Sequence, residues 1–129
     1  MATIEKFEDL EIWKEPRLLS KEIIFLSKNT ELKTDYNLKN QIKGSFGSVM
    51  DNIAEGFERD GNLEFRQFLS IAKGSAGETR SQLYRVSDSG HLSEEDLSSL
   101  VDRYINLSKR IASFIIYLNK NDFKGNKFR

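Results

Sequence analysis

The sequence predicts an all-α protein built as an antiparallel, up-down-up-down four-helix bundle. Four segments carry apolar residues at steps of three and four, which is the spacing of one buried helix face. Short polar or glycine-containing stretches separate these segments, and short links favour antiparallel neighbours. No Asn-Gly turn joins two runs of alternating polarity, so a β-hairpin is not predicted.

The first helix is predicted over residues 8–28 and contains the single proline, Pro16. A proline has no N–H and crowds the carbonyl four residues earlier, so we expect a kink or a late helix start there. The polar residues 29–35 are predicted to form a loop. The second helix is predicted over residues 36–56, and Gly56 and Gly61 bracket the charged turn that follows it.

Asn62 is the expected N-cap of the third helix, which continues to about residue 88. Gly90 supplies the next stop, and Ser93 is expected to cap the fourth helix. Residues 1–120 therefore make up the predicted bundle. The basic residues 121–129 are expected to form a frayed C-terminal tail.

Bulk composition narrows the class of protein. A chain of 129 residues fits one domain, and its 20 basic and 20 acidic side chains cancel. This neutrality counts against a small nucleic-acid binder that relies on overall charge, although it leaves room for a local basic face. The chain has no cysteine, its N-terminal segment does not resemble a signal peptide, and no apolar run is long enough to cross a bilayer. We expect a cytoplasmic protein with no membrane partner.

A line of basic residues on the third helix is the main candidate site. Arg66, Lys73 and Arg80 recur every seven residues, so they stack along one side of the helix with little drift. Such a line can contact successive phosphates, because backbone contacts need positive charge and no strict motif. The alternative is an ordinary solvated face or a set of salt bridges to a neighbouring subunit. The predicted patch also includes Arg85 and, on the second helix, Lys39 and Lys43.

Small residues crowd the middle of two helices. Glycine inside a helix costs up to about 1 kcal/mol relative to alanine. We therefore expect close helix approach at these positions, either within the bundle or between subunits. The positions are Gly44, Ser45, Gly47 and Ser48 on the second helix and Gly74, Ser75, Ala76 and Gly77 on the third.

The polar residues do not indicate an enzyme, a metal or a cofactor. Asp51, Glu55 and Glu58 share one side of the second helix, and Glu64 and Glu78 lie on the third. A di-metal bundle would also need Glu-x-x-His motifs, whereas His91 is the only histidine and is expected to be an exposed turn residue. No Gly-x-Ser-x-Gly sequence is present, and no pair of carboxylates is singled out.

Apolar residues exceed what one buried face per helix requires, which favours self-association. The surplus residues are Leu18, Ile24, Phe25, Ile115 and Ile116.

Three segments of the chain resemble a known family, the small helical proteins encoded in intervening sequences of bacterial 23S ribosomal RNA genes. The first is a Phe-x-x-Leu-x-x-Trp pattern at Phe7, Leu10 and Trp13. The others lie within residues 41–59 and 64–83, and the most recognisable element is Asn52-Ile53-Ala54-Glu55-Gly56. The resemblance covers nearly the whole chain.

The resemblance implies a left-handed four-helix bundle that assembles as a ring-shaped homopentamer. A related retroelement accessory protein uses the same assembly and a basic surface to engage nucleic acid and a reverse transcriptase. By analogy, Arg66, Lys73 and Arg80 would be displayed around a ring, where linked weak sites act together. Association with ribosomal RNA is implied by gene location in some members.

This sequence departs from the family pattern at three places. Lys43 and Gly44 stand where many members carry paired basic residues, which thins the predicted patch. Val49 and Met50 replace a common proline, and Pro16 stands where a small helix former is more usual.

Two functions follow as hypotheses. The first is a non-enzymatic oligomeric bundle that binds RNA or another nucleic acid through the basic face of the third helix. The alternative is a ring-shaped scaffold whose partner is another protein. Binding that falls steeply with salt supports the first, and capture of a partner that resists nuclease supports the second.

Overall fold

The computed structural model describes residues 4–121, and within that range the chain contains four α-helices and no strand. The helices are α1 (Glu11–Asn29), α2 (Tyr36–Glu58), α3 (Asn62–Asp88) and α4 (Glu94–Lys120). Two short 3₁₀ helices, Phe7–Asp9 and Glu31–Thr34, flank α1. The predicted all-α four-helix bundle is confirmed. Its handedness and up-down-up-down order stay predictions, and the predicted tail lies outside the described residues apart from Asn121.

Helix α1 differs most from its prediction. It begins at Glu11, because Phe7–Asp9 form a 3₁₀ turn and Leu10 has extended backbone angles. Pro16 lies inside α1 and is buried, so the helix does not begin at the proline. The Ser20 hydroxyl donates a hydrogen bond of 2.7 Å to the Pro16 carbonyl.

The ends of the other helices follow local chemistry. The predicted loop at 29–35 contains the Glu31–Thr34 turn, which Leu32 anchors by packing into the core. Gly90 has φ +83°, and the Ser93 hydroxyl accepts from the Asp96 N–H, so both predicted signals at the α3–α4 turn are confirmed. The predicted N-cap of α3 is wrong. Gly61 occupies the cap, and Asn62 is the first residue of the helix.

Asn62 is buried because its side chain joins the start of α3 to the end of α4. Its amide nitrogen donates to the carbonyl oxygens of Leu118 and Asn121, at 2.9 and 2.8 Å. These two carbonyls belong to the last turn of α4 and to its C-cap, where intrahelical donors run out. Asn62 therefore does not cap its own helix, α3. Its side chain instead binds free carbonyl groups at the end of α4.

The core is one cluster to which every helix contributes. Helix α3 packs most extensively on α2 and then on α4, and α1 packs on α2 and α4 from the other side. Among the described residues, no helix is long and apolar enough to cross a membrane. The predicted apolar stripe of α2 is buried along its whole length, at Leu38, Ile42, Phe46, Val49, Ile53 and Phe57.

A chain of polar groups crosses the α2–α3 interface. The buried Ser45 hydroxyl bonds the Gln82 side-chain oxygen, and the buried Thr79 hydroxyl donates to Ser45 at 2.8 Å. Nearer the surface, the hydroxyls of Ser48 and Ser75 are 2.9 Å apart. Since buried polar groups are costly unless they are paired, these bonds hold the two helices in one register.

Gly56 is where α2 and α3 approach most closely among the glycines of the described chain. A Cβ on this residue would lie 2.5 Å from the Phe68 Cβ and 3.0 Å from a Phe65 ring carbon. The other helical glycines behave differently: a Cβ on Gly44, Gly47, Gly74 or Gly77 would meet no atom of residues 4–121 within 4 Å. Close approach within the bundle is therefore wrong for those four, and contact between subunits stays a prediction.

We expect Gly56→Ala to destabilise the protein by about 1–3 kcal/mol, the usual cost of overpacking a core. Phe68 Cβ is attached directly to the backbone, so the two helices must separate to admit the new methyl group. Gly74→Ala is the matched control, and it should stabilise by up to about 1 kcal/mol through helix propensity. Urea unfolding of both variants tests this, and equal effects would contradict the assigned contact.

Tyr104 of α4 is fully buried, and its hydroxyl has no hydrogen-bond partner among residues 4–121. Burial raises the pKa of this phenol, because the charged phenolate is poorly solvated in the core. In the unfolded chain the pKa of tyrosine is about 10. The folded state thus keeps its proton at pH values where the unfolded state has lost it.

Tyr104 should therefore weaken the fold at alkaline pH. The contribution of Tyr104 to the free energy of unfolding is fully present below pH 10. It declines as the pH rises above the pKa of the unfolded chain, by about 1.4 kcal/mol at pH 11. Tyr104→Phe should remove that loss. Unfolding free energies of both proteins at pH 8 and pH 11 provide the measurement, and a parallel decline in the two proteins would contradict it.

Candidate nucleic-acid interface

Three cations follow one side of α3, and Arg66, Lys73 and Arg80 are named here the α3 basic line. Seven helical residues rise about 10.5 Å, so the line extends for roughly 21 Å. Lys73 is exposed, and Arg66 and Arg80 are half-buried. The side facing α4 is identified by Arg66, whose Nη1 donates to the Asn119 side-chain oxygen at 2.8 Å.

The Arg66 guanidinium is held in place by neutral groups. Besides the bond to Asn119, its Nε donates to the Asn62 side-chain oxygen at 2.8 Å. An arginine has five N–H donors, so two bonds orient the group and leave three donors for a ligand. Asn62 lies four residues earlier and so shares the helix face, whereas the sequence carries no signal for Asn119, which is 53 residues away.

The α3 basic line is not neutralised. None of its three residues forms an ion pair with a carboxylate in residues 4–121, in contrast to Arg59 and Arg103. Arg59 bonds Glu55 at 2.9 Å and Glu64 at 3.4 Å. Arg103 binds Glu22 and Glu15, whose hydrogen bonds and charge raise its pKa despite the opposing effect of burial. The charge on the α3 basic line remains available to an anion.

Small and aromatic residues surround the line. Ser70 and Gly77 fall between its cations, and a Cβ on Gly77 would meet nothing within 4 Å, so the surface is low there. Tyr84 lies one turn beyond Arg80 and is 49% exposed. Exposed aromatic rings stack on bases in many single-strand binders. Tyr84 is not among the site residues predicted from the sequence.

The structure does not gather the rest of the predicted patch onto this face. Arg85 is five residues after Arg80, about 140° further around the helix. Its Nη1 donates to the Gln41 side-chain oxygen of α2 at 2.8 Å, so it lies on the α2 side of α3. Lys39 and Lys43 are on the side of α2 that faces α1, next to Ile23 and Ile24. The six predicted cations therefore fall on three parts of the surface.

Two of the five acidic candidates take part in ion pairs that join helices. Glu55 and Glu64 both bind Arg59, which ties the end of α2 to the start of α3. His91 is not an exposed turn residue: its side chain is 14% exposed, and its Nε2 is 3.0 Å from the Asp35 carboxylate. His91 is largely buried because the α3–α4 turn packs against the start of α2. Within residues 4–121, no group of three or more possible ligands is placed to hold a metal ion.

Several apolar side chains stay on the surface. Of the predicted surplus residues, Leu18, Ile24, Phe25 and Ile116 are exposed by 37–65%. Ile115 instead packs against the core. Leu18 and Phe25 are seven residues apart, so they form one apolar strip on the outer side of α1.

The chain is similar to a described protein family and to a solved structure. The profile of the family described as 23S rRNA-intervening sequence protein matches residues 8–113. No curated protein matches the chain significantly. Among solved structures, the chain is similar to a protein of unknown function from the S23 ribosomal protein family of Bacteroides thetaiotaomicron. The two share 22% identity with a TM-score of 0.73, over 81% of this chain and 95% of that one. The matched region spans all but the end of the bundle, and the chain belongs to the 23S rRNA-intervening sequence protein family.

Proposed function

We propose that this protein is a non-enzymatic, self-associating helical bundle that binds nucleic acid through the α3 basic line. The observation that carries the proposal is the alignment of Arg66, Lys73 and Arg80 at seven-residue steps along one side of α3, where none of the three is ion-paired within residues 4–121. Unpaired cations in a line suit phosphate contacts, which dominate nucleic-acid affinity. The family name, which refers to 23S ribosomal RNA, makes RNA the first ligand to test.

Three further features of the α3 basic line support contact with a nucleic-acid backbone. Arg66 is oriented by two amide oxygens, which lowers the entropy lost when it binds a phosphate. Ser70 and Gly77 leave space between the cations, and Tyr84 offers a ring to an unpaired base. One copy presents only three cations, so self-association would multiply the patch and raise the effective concentration of sites.

The first prediction concerns the triple variant Arg66→Gln, Lys73→Gln, Arg80→Gln. We expect its affinity for a labelled structured RNA to fall at least tenfold at low salt. The slope of log K against log salt should decrease by about 2 to 3, because three phosphate contacts are lost. Fluorescence anisotropy with RNA and matched duplex DNA, titrated from low to physiological salt, measures both quantities.

A control variant, Lys6→Gln, Lys14→Gln, Lys21→Gln, removes the same charge before and along α1. It should bind nearly as well as the unchanged protein. Circular dichroism of both variants checks that the helices are intact. Equal losses in the two variants would point to overall charge, and undiminished binding by the first would reject the α3 basic line.

The second candidate function is a protein-interaction scaffold, which the apolar strip on α1 favours. Leu18 and Phe25 are 51% and 65% exposed, and contiguous apolar surface marks protein contacts. In this case a partner protein, captured from nuclease-treated extract, would depend on the strip, and RNA would not bind at low salt.

The strip also generates a test of self-association. Leu18→Glu with Phe25→Glu should shift the protein toward the monomer, because like charges then meet at the contact. Both side chains are exposed, so folding should be preserved. Sedimentation velocity of this variant, and of Leu63→Glu as an exposed apolar control on α3, provides the measurement. An unchanged oligomer would exclude the strip as the contact.

A further inference from the structure

A groove of about 330 Å³ between α1 and α2 combines an apolar floor with a basic rim. The floor consists of Ile23, Ile42 and Phe46, which are 2%, 1% and 6% exposed, and Ile24 forms a wall at 37%. The rim carries four lysines, Lys28, Lys33, Lys39 and Lys43. Among the described residues, Ser27 is the one other polar side chain in the lining.

The charge of this α1/α2 groove is entirely positive. No acidic side chain lines it, and none of its lysines is ion-paired within residues 4–121. One ammonium group is also positioned: Lys39 Nζ donates to the Lys33 carbonyl at 3.2 Å and lies 5.0 Å from the centre of the Tyr36 ring. An ammonium has three donors, so Lys39 keeps two for a ligand.

Each feature of the groove limits what it can hold. Four cations around one groove, none ion-paired within residues 4–121, favour an anion because its charge offsets their mutual repulsion. Ile24 still exposes apolar surface above the buried floor, so covering it with a hydrocarbon is favourable. Nucleobases and sugars need several fixed polar partners, and Ser27 alone cannot supply them because its hydroxyl already donates to the Ile24 carbonyl. The volume is at the low end for small-molecule sites.

We propose that the α1/α2 groove binds a small amphipathic carboxylate, a free acid with a hydrocarbon body. The carboxylate contacts Lys39 and Lys43, and the hydrocarbon lies against Ile24, above the buried floor. The groove is on the opposite side of the bundle from the α3 basic line, because α1 and α3 pack on opposite sides of α2 and α4. The inference is independent of the nucleic-acid proposal.

Isoleucine-methyl NMR on the full chain with decanoate, kept below its micelle-forming concentration, tests the site directly. We expect decanoate to shift the methyl signals of Ile23, Ile24 and Ile42 with saturation, while the buried Ile111 of α4 stays unshifted. Decanol, which lacks the charge, should bind at least tenfold more weakly. Acetate, which lacks the hydrocarbon, should leave the three signals in place.

Variants separate this site from general attraction to a basic protein. Lys39→Gln with Lys43→Gln should weaken decanoate binding at least tenfold, the effect of losing charge-assisted contacts worth about 1.4 kcal/mol or more. The control Lys14→Gln with Lys21→Gln removes the same charge from α1, outside the groove lining, and its affinity should stay within twofold. Both double variants change exposed or half-buried lysines, so the fold should persist.

Four results would overturn the proposal. These are unshifted groove methyls, equal binding by the Lys39/Lys43 variant and its control, equal shifts from acetate, and shifts that arise only with anionic phospholipid vesicles. The third would describe a simple anion site, and the fourth would assign the groove to a membrane surface.

Discussion

The packing of α2 against α3 is the constraint on which the rest of the structure depends. Gly56 brings the two helices so close that Phe68 leaves no room for a methyl group. Further along the interface, the bonds among Ser45, Thr79 and Gln82 fix how the helices are aligned. A close contact at one point and a polar register at another determine the rotation of α3, and that rotation directs Arg66, Lys73 and Arg80 toward the α4 side.

An overall charge of zero does not mean that each cation has a carboxylate partner. Arg59 and Arg103 are each held by two carboxylates and contribute to structure. The α3 basic line and the lysines of the α1/α2 groove have no such partners among the described residues. An exposed ion pair contributes little to stability, so leaving the cations of these two surfaces without carboxylate partners costs the fold little.

Only part of the candidate site was predictable from residue spacing within one helix. The α3 basic line was predictable because a seven-residue step stays within one helix and needs no knowledge of its neighbours. Of the two hydrogen bonds that orient Arg66, the one to Asn62 was predictable because Asn62 lies one turn away on the same helix. The bond to Asn119 was not, because that residue belongs to α4. Lys39 and Lys43 were predicted to join the same patch, but they lie on the side of α2 that faces α1. The sequence did not indicate which side of α2 would face α1.

Helix type, helix number and most helix ends were determined by the sequence itself, since apolar periodicity and signals such as Ser93 and Gly90 act over a few residues. Only the tertiary structure decided which glycine was a close contact, that Asn62 would join two helices, and that the basic residues would divide among separate surfaces. The physical reason is that these outcomes depend on how packed helices rotate about their axes. That rotation is set by side chains far apart in the chain.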